Sequence, residues 1–518
     1  MTSEIRHRFW KFVELGIDPY VSEYRFQITA SCREIKRRYQ YLGKGESSED
    51  EYRIAGRLMA IRRHGKIVFG VLDDGTDRLQ IVFRYDVLGK EKWKIVEILN
   101  IGDVIGVVGN PMRTLRGELS LLAKDFRVLA IAWRDFPEKW HGLVDVDKRY
   151  RMRYLDMMLN DDVRRAIIAM YRLEKFFRDY LDQRGFIEIH TPKLQPIYGG
   201  ALARPFTTRM YALDNRVVYL SIAPETYLKR AVVANFFRVY EIAVCFRNED
   251  IDAQHYPEFV QIEIYQAFAD WNDMMNLVED MVSQAVKETF GDYKVEVRRG
   301  DGETVVMDFK PPWKRIPLED AIETIGGIKV KNLDLDQLLE VATSLGVKVE
   351  DQRRGKILEK IFEKVVEPKL RDPTFITLFP RDVSPLARPY RKDPRYAERF
   401  EIFINGLEVG NGYSELNNPV VQYYFFAKEE ELRKKVADKL KEVEYHPLDR
   451  DYVRALEYGM PPTAGVGIGI YRLVMALTGL PSIKDVIPFT IVEPDEEPTI
   501  AERYPEILEY YKGKLGLE

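Results

Sequence analysis

Residues Arg238–Ala267, RVYEIAVCFRNEDIDAQHYPEFVQIEIYQA, decide how the rest of the chain is read. Arg238–Phe246 and Phe259–Ala267 each alternate as strands do. In the second, Val260, Ile262 and Ile264 face one way while Phe259, Gln261, Glu263 and Tyr265 face the other. A sheet with an apolar face buried and an acidic, aromatic face left open is what a substrate-binding surface requires. The loop between the strands carries Arg247, Glu249 and His255. A guanidinium at a strand end offers a bidentate grip on a phosphate or carboxylate, stronger than a neutral hydrogen bond. The plainer alternative, a surface loop of salt bridges, leaves the closely following His255-Tyr256-Pro257-Glu258-Phe259 unexplained.

A second acidic stretch, Phe400–Glu415, reads FEIFINGLEVGNGYSE. Its Asn405-Gly406 is the strongest short signal for a two-residue hairpin turn. Such a turn puts Glu401 and Glu408 on one sheet face as diagonal neighbours, roughly 7–8 Å apart at the backbone. Two like charges so placed are unfavourable unless a cation sits between them, and beside a polyphosphate Mg²⁺ is the natural choice. A solvated pair on an exposed hairpin is the bland alternative. Asn411 and Glu415 continue the polar surface. A third stretch, Gly465-Val466-Gly467-Ile468-Gly469-Ile470, runs into Tyr471-Arg472-Leu473-Val474-Met475-Ala476-Leu477, with Gly479 and Pro481 as stops. A strand entering a helix whose first turn holds an arginine directs N–H groups and a fixed positive charge toward a polyphosphate.

At 518 residues the chain suggests roughly three domains. Its composition, 46% hydrophobic and 31% charged, is that of a soluble globular protein, and its apolar runs are too short to span a bilayer. The start, MTSEIRHRFWKF, has no apolar core after a basic segment, so no secretory signal is expected. Two cysteines, Cys32 and Cys245, exclude a disulfide framework and a cysteine zinc site. A net charge of −4 gives no global attraction to nucleic acid, so any RNA contact must come from local basic patches.

Residues 1–45 read as helical and basic, with Arg33, Lys36, Arg37 and Arg38 forming either a solvated helix face or an arm against RNA. After an acidic break at Glu46–Glu51, five short strands with Gly and Asp turns fill Tyr52 to about Leu129, pointing to a small Greek-key barrel of OB type. Trp133–Leu143 reads as a connector. An amphipathic helix follows, carrying Val163, Ile167, Met170, Tyr171, Phe177 and Leu181, capped by Asp161 or Asp162 and ended by Gly185. Phe186, Ile187 and Ile189 then form a strand that stops at Pro192. Helices followed by mainly antiparallel strands indicate an α+β domain, with an apparent insertion from about 290 to 395.

In chain order the pattern is helix–strand–Pro, strand–Phe-Arg-x-Glu–strand, and Gly-rich strand–Arg–helix. It resembles the three motifs of the class II aminoacyl-tRNA synthetases. The texts PEKWHGL, RYLD, GGALARPF, IAPETYLKR, FRVYEI, FRNED, HYPEF, FEIFINGLEVGNGYSELNNP and YGMPPTAGVGIGIYRLVM are similar to one family, the class II lysyl-tRNA synthetases. The resemblance runs from Ile54 to Pro488. It implies an antiparallel-sheet catalytic domain over residues 151–518, an OB-fold anticodon-binding barrel over 51–135, a linker at 136–150 and an N-terminal extension over 1–50. It further implies a cytoplasmic homodimer, with no membrane segment, that uses ATP and Mg²⁺ to ligate L-lysine to tRNA(Lys) in protein biosynthesis.

Residue by residue, the resemblance gives Arg247 the α-phosphate and the substrate carboxylate. Glu249, His255 and Phe259 would hold adenine and phosphates, Arg472 the γ-phosphate or the adenine face, and Glu401 and Glu408 the Mg²⁺. Gly200, Glu225, Glu263, Tyr265, Asn411, Tyr413 and Glu415 would form the lysine pocket, with Glu225 and Glu263 near the α-amino group and Glu415 at the ε-ammonium. Two ammonium groups call for acidic partners at both ends, each charge-assisted bond contributing about 1.5–3 kcal/mol. In the barrel, Phe69 would stack on an anticodon base, Gln80 would hydrogen-bond another, and Glu118 matches an acidic contact; Phe69 as plain barrel core is the alternative. Arg62 or Arg63 is a further candidate there.

The sequence departs from the family pattern at four places. Tyr471 stands where aspartate usually precedes the motif arginine, removing a carboxylate that could orient Arg472. Tyr256 replaces an asparagine, Asp250 a glycine and Ser221 an arginine. Two rival readings follow. An aspartate or asparagine enzyme would need basic pocket residues in place of Glu225, Glu263 and Glu415. A non-catalytic RNA-binding relative is suggested by Tyr471.

Overall fold

The computed structural model of the protein describes residues 2–18, 20, 25–136, 143, 145–298, 302–436, 446–493 and 497–517. The connector expected at Trp133–Leu143 lies mostly outside the described residues. The chain divides into two compact units, Met1–Val144 together with Glu493–Glu518, and Asp145–Val492. The C-terminal segment thus groups with the first unit, whereas the sequence reading ran the catalytic domain to 518. Among the described residues no helix is long and apolar enough to cross a membrane.

In the first unit, β1 (Tyr52–His64), β2 (Ile67–Asp73), β3 (Arg78–Arg84), β4 (Val104–Arg113) and β5 (Leu119–Ala130) close into a barrel in the order β1-β2-β3-β5-β4. The β3–β5 pair is parallel and the others antiparallel, which is the OB arrangement. Alternation sends Val68 and Leu72, then Leu79, Ile81 and Phe83, into the barrel. A helix at Tyr85–Ile98, absent from the sequence reading, adds Leu88, Trp93 and Val96 to the same core. Gly89, at positive φ inside it, breaks the apolar period that would have announced it.

The N-terminal stretch is less helical than its composition suggests: Thr2–Glu14 and Cys32–Arg38 are helices, and 25–31 is not. Cys32 and Ile35 are buried in the barrel core. Arg33 donates to the Thr76 carbonyl at 2.5 Å and Lys36 to Asp77 at 2.8 Å. Two of the four clustered cations therefore anchor the helix to the β2–β3 turn and are not free for RNA.

The second unit contains β6 (Ile187–Glu188), β7 (Leu194–Gln195), β8 (Thr207–Met210), β9 (Arg216–Leu220), β10 (Arg238–Phe246) and β11 (Glu258–Ala267). It continues with β12 (Lys294–Arg298), β13 (Thr304–Asp308), β14 (Lys314–Pro317), β15 (Thr374–Thr377), β16 (Arg399–Ile404), β17 (Leu407–Ser414) and β18 (Thr463–Gly469). Eight of them form one sheet in the order β14-β15-β16-β17-β18-β11-β10-β6, antiparallel except at its two edge pairs. Helices Asp161–Asp182 and Trp271–Phe290 cover one face. Leu173, Phe177, Met274, Val278 and Met281 meet Ile262, Ile264, Phe400, Ile402, Val466 and Ile468 there. Each such buried side chain contributes about 1.5–3 kcal/mol. Asn160, and neither Asp161 nor Asp162, caps the first of these helices by accepting from the Asp162 N–H.

The 290–395 segment is not a mere excursion from the sheet. Its β14 and β15 extend the sheet at one edge. Its helices Leu318–Thr324, Leu335–Ser344 and Arg354–Val365 share a separate core through Leu318, Leu338, Ile357 and Ile361. The sheet face opposite the two covering helices carries the site.

Candidate active site

Strand register arranges the polar face in two cross-strand rows. Glu401, Asn411, Gly467 and Glu263 stand in one; Arg399, Tyr413, Gly465 and Tyr265 stand in the next. The period of two that sends Ile262, Ile264 and Val466 into the core delivers the residues between them to this face. A cavity of about 820 Å³ opens over it. Gly200, Glu225, Arg247, Glu249, His255, Phe259, Glu263, Tyr265, Glu401, Glu408, Asn411, Tyr413, Glu415 and Arg472 all line that cavity. The sequence-derived site residues of this unit, separated by up to half the chain, are thus brought together.

The hairpin forms with Asn405 and Gly406 at positive φ, 54° and 74°, and Ile404 paired to Leu407. A bulge then shifts the register, so Glu401 faces Asn411, where a regular hairpin would give it Gly410. The extra residue, Val409, packs into the core while Glu408 stays on the cavity wall. The expected diagonal pairing of the two glutamates is therefore offset by one residue.

One end of the cavity is acidic and dry. Glu225, Glu263 and Glu415 are 4%, 5% and 1% exposed. Tyr413 donates to Glu225 Oε1 at 2.6 Å, Tyr265 to Glu263 Oε2 at 2.9 Å and Gln261 Nε2 to Glu263 Oε1 at 2.7 Å. Glu415 is ion-paired to Lys229, yet neither of its oxygens receives a well-formed hydrogen bond among the described residues. Burial, with the charge of Glu225 adding to it, pushes Glu263 up to about 8. Burial also holds Glu415 well above the usual carboxylate range. Two buried acids that are costly to ionise call for an incoming cation. Gly465 keeps the space open, since a Cβ there would lie 2.3 Å from Tyr265 Cε1 and 2.5 Å from Glu415 Oε1. Gly200, at φ +89°, adopts a conformation that favours glycine, and a Cβ on it would approach Glu225 Cβ to 2.8 Å.

The other end is built for anions and cations together. Arg247 lies with its guanidinium 4.8 Å over the Phe259 ring, and its buried Nε has no hydrogen-bond partner among the described residues. His255 Nδ1 is held 2.8 Å from Asp252. Arg472 Nη1 reaches both the carbonyl and Oε2 of Glu408 at 3.2 Å, while Nε donates to the Gln254 carbonyl at 3.3 Å. Arg399 bonds Glu401 at 2.6 Å and pairs with Glu359 at 3.5 Å. Burial, offset in part by Arg399 and reinforced by Glu408, pushes Glu401 up to about 8. Hard carboxylate oxygens on the cavity wall fit a divalent cation such as Mg²⁺. Among the described residues no three His, Cys, Asp or Glu side chains are grouped to hold a metal, so such an ion would take further oxygens from nucleotide and water.

A family model described as tRNA synthetases class II (D, K and N) matches residues 145–493, and one described as an OB-fold nucleic acid binding domain matches 52–129. The lysine–tRNA ligase of Thermotoga maritima is 43% identical over 93% of this chain and 93% of its own. That of Carboxydothermus hydrogenoformans is 43% identical over 93% and 95%, and that of Moorella thermoacetica 44% over 93% and 96%. The chain belongs to the class II lysyl-tRNA synthetases.

Two departures of this synthetase have structural substitutes. Tyr471 packs against the main core, and Glu408 with the Gln254 carbonyl orients Arg472 in place of the missing aspartate. Tyr256 is buried and its hydroxyl accepts from the Ile491 N–H at 2.5 Å. Lys229 and Arg399, which hold site carboxylates, are not marked by the sequence, and Gln261 is placed on the open face without a role. The sequence also leaves unmarked the helix Arg354–Val365, whose Lys356, Glu359, Lys360 and Glu363 contribute to the cavity wall. The Glu225–Lys229 spacing, four residues within a helix, was the one available signal.

In the barrel unit, Phe69 lies half-buried on the outer side of β2, outside the barrel core. Gln80, opposite Val71, donates to Ser120 at 2.8 Å, and Glu118 is exposed. Arg62 pairs directly across from Phe69, so the two share a face. Arg63 instead donates to the Leu99 carbonyl at 2.7 Å.

Proposed function

We propose that this synthetase activates L-lysine with ATP, forming lysyl-adenylate and pyrophosphate, and then esterifies the 3′ end of tRNA(Lys). The observation that carries the reading is the acidic end of the cavity, where the three buried carboxylates Glu225, Glu263 and Glu415 stand together with Lys229 as the only ammonium paired to any of them among the described residues. A doubly protonated amino acid supplies what those carboxylates lack: its ε-ammonium would meet Glu415 and its α-ammonium Glu225 and Glu263. An aspartate or asparagine side chain would find no cation on the cavity side there.

Arg247, with an unpartnered Nε, would take the substrate carboxylate and the α-phosphate. Glu249, His255 and Phe259 would hold adenine and phosphates, and Arg472 the γ-phosphate. Glu401 and Glu408 would hold Mg²⁺, which when bound neutralises charge on the nucleotide's phosphates. Catalysis is then positioning and electrostatic stabilisation: the substrate carboxylate is aimed at the α-phosphorus, Arg247 stabilises the charge that develops there, and no side-chain nucleophile is needed. The reading includes Phe69, Gln80 and Glu118 as anticodon contacts. It includes a cytoplasmic homodimer, for which exposed Ile168, Tyr171 and Ile187, on the helix and strand before Pro192, offer apolar surface.

Lysine-dependent exchange of pyrophosphate into ATP tests the reading. Exchange with lysine, and none with aspartate or asparagine, is expected; exchange with either of those, or none at all, overturns it.

A further inference from the structure

Lys229 is a buried charge beside the cavity that the reaction does not use. It sits one helical turn after Glu225 on the helix Glu225–Val233, is 1% exposed, and is ion-paired to both Glu225 and Glu415. Its ammonium lies 5.3 Å from the Tyr413 ring and 5.9 Å from the Tyr265 ring. Glu225, Glu415, Tyr265 and Tyr413 line the cavity, and Lys229 does not. It stands behind the wall that a substrate would touch.

We propose that Lys229 is a fixed internal counter-ion that holds Glu225 and Glu415 together and aimed at the cavity, and thereby sets how much positive charge the pocket accepts. The proposal rests on the lysine-activating reading and deepens it. Glu225, Glu263 and Glu415 together would overcharge the pocket for one guest. When all three are ionised, Lys229 leaves two of their negative charges uncompensated, the number that a diamino acid's two ammonium groups balance. Its carboxylate is left for Arg247.

A lone surface pair four residues apart on a helix contributes little. A cation bridging two buried carboxylates differs, because removing it strands charge in a low-dielectric interior. The groups facing Lys229 are Glu225 from its own helix, Glu415 and Tyr413 at the end of β17, Tyr265 from β11, and Tyr452 from the helix Arg450–Glu457. Glu263 feels its charge at longer range, and His446, held neutral by burial and by Lys229 at about 4, offers no competing cation. Lys229 itself is held above its usual value, since the attraction of Glu225 and Glu415 outweighs its burial. Lys229 opposes the upward push of burial on Glu415, so without it that carboxyl would hold its proton more tightly and meet the substrate ammonium with less charge. Lys229 is thus a positioning residue that acts through the two glutamates.

The test compares Lys229→Met with wild type in lysine-dependent ATP–pyrophosphate exchange across pH. The expected ratio of variant to wild-type lysine KM is about tenfold or more at neutral pH and shrinks as pH rises, with ATP KM within about threefold. A pH-independent ratio, an unchanged lysine KM, or equal losses for ATP and lysine overturns the proposal. If wild type itself shows no lysine-dependent exchange, the underlying reading fails instead. Should Lys229→Met not accumulate as folded protein, Lys229→Arg decides. Retained charge should keep lysine KM within about threefold of wild type at every pH, and a larger rise overturns the proposal.

Discussion

Tyr413, on a central strand, and Glu225, at the start of a helix 188 residues earlier in the chain, are joined by a 2.6 Å hydrogen bond from phenol to carboxylate. The bond fixes the Glu225 oxygen that also meets Lys229. Tyr413→Phe keeps the ring and removes the donor. Because Lys229 still holds Glu225, the expected loss is about 1 kcal/mol, seen as a roughly fivefold rise in lysine KM with ATP KM unchanged. Steady-state exchange kinetics check this. An unchanged lysine KM would remove Glu225 from the substrate's contacts.

Gly465 supports a sharper expectation. A methyl group there would lie 2.3 Å from Tyr265 and 2.5 Å from Glu415, both buried, so neither can retreat without leaving the pocket. Gly465→Ala should lower kcat/KM for lysine by ~10²-fold, the equivalent of about 3 kcal/mol of overpacking, while nucleotide binding persists. Calorimetric titration with a nonhydrolysable ATP analogue, set beside lysine-dependent exchange, separates the two effects.

The parts of the site that are legible in the sequence are those governed by local periodicity. Glu263 and Tyr265 could be assigned to an open face because Ile262 and Ile264 must be buried between them. The Asn405-Gly406 turn was equally plain, but the bulge that moves Glu401 opposite Asn411 is decided by packing of Val409 into the core. Lys229 reads locally as an ordinary helix pair with Glu225; its importance comes from Glu415, which only the folded sheet brings to it. Gly89 concealed a barrel helix, and the 290–395 region concealed a cavity wall whose apolar residues serve their own core.

The acidity of Glu263 predicts a pH dependence with a definite sign. Its carboxyl is raised from 4.5 to about 8, so between those values the folded protein keeps a proton that the unfolded chain has lost. Substrate-free stability therefore declines as pH rises through that window. An ammonium ligand needs the ionised form, so lysine binding strengthens over the same range. Lysine KM should fall as pH rises from roughly 6.5 to 8, by no more than about tenfold per unit, and Glu263→Gln should raise KM and abolish the slope. Exchange kinetics at several pH values measure both, and a slope that survives in Glu263→Gln assigns it elsewhere.

Glu401 and Glu408 predict a metal dependence that is distinguishable from simple loss of activity. Glu401→Gln leaves Arg399 in place but removes one hard anionic donor, so more Mg²⁺ should be needed for half-maximal exchange, with kcat reduced by ~10²-fold at ordinary Mg²⁺. Glu408→Gln should do the same and additionally loosen Arg472, which it holds at 3.2 Å, raising ATP KM as well. Chelation by EDTA should abolish exchange. A Mg²⁺ titration of each variant reads these effects, and unchanged midpoints would assign the ion to other ligands.

The barrel offers a test that leaves the catalytic cavity untouched. Phe69 faces outward from β2 with Arg62 directly across from it, whereas Arg63 is tied back to the Leu99 carbonyl at 2.7 Å. An outward aromatic beside a cation suits a stacked base and its phosphate. Phe69→Ala should raise the KM for tRNA about tenfold, corresponding to the loss of one stacking contact of roughly 1–3 kcal/mol, without changing lysine-dependent exchange. Arg62→Ala should weaken tRNA binding and reduce the salt slope of log Kd by about one. Arg63→Ala removes a bond that ties β1 to the end of the Tyr85–Ile98 helix, so it should lower the melting temperature of the barrel unit and leave the salt slope unchanged. Filter binding at several salt concentrations separates the two arginines, and an Arg63→Ala variant with the larger salt effect would reverse the assignment.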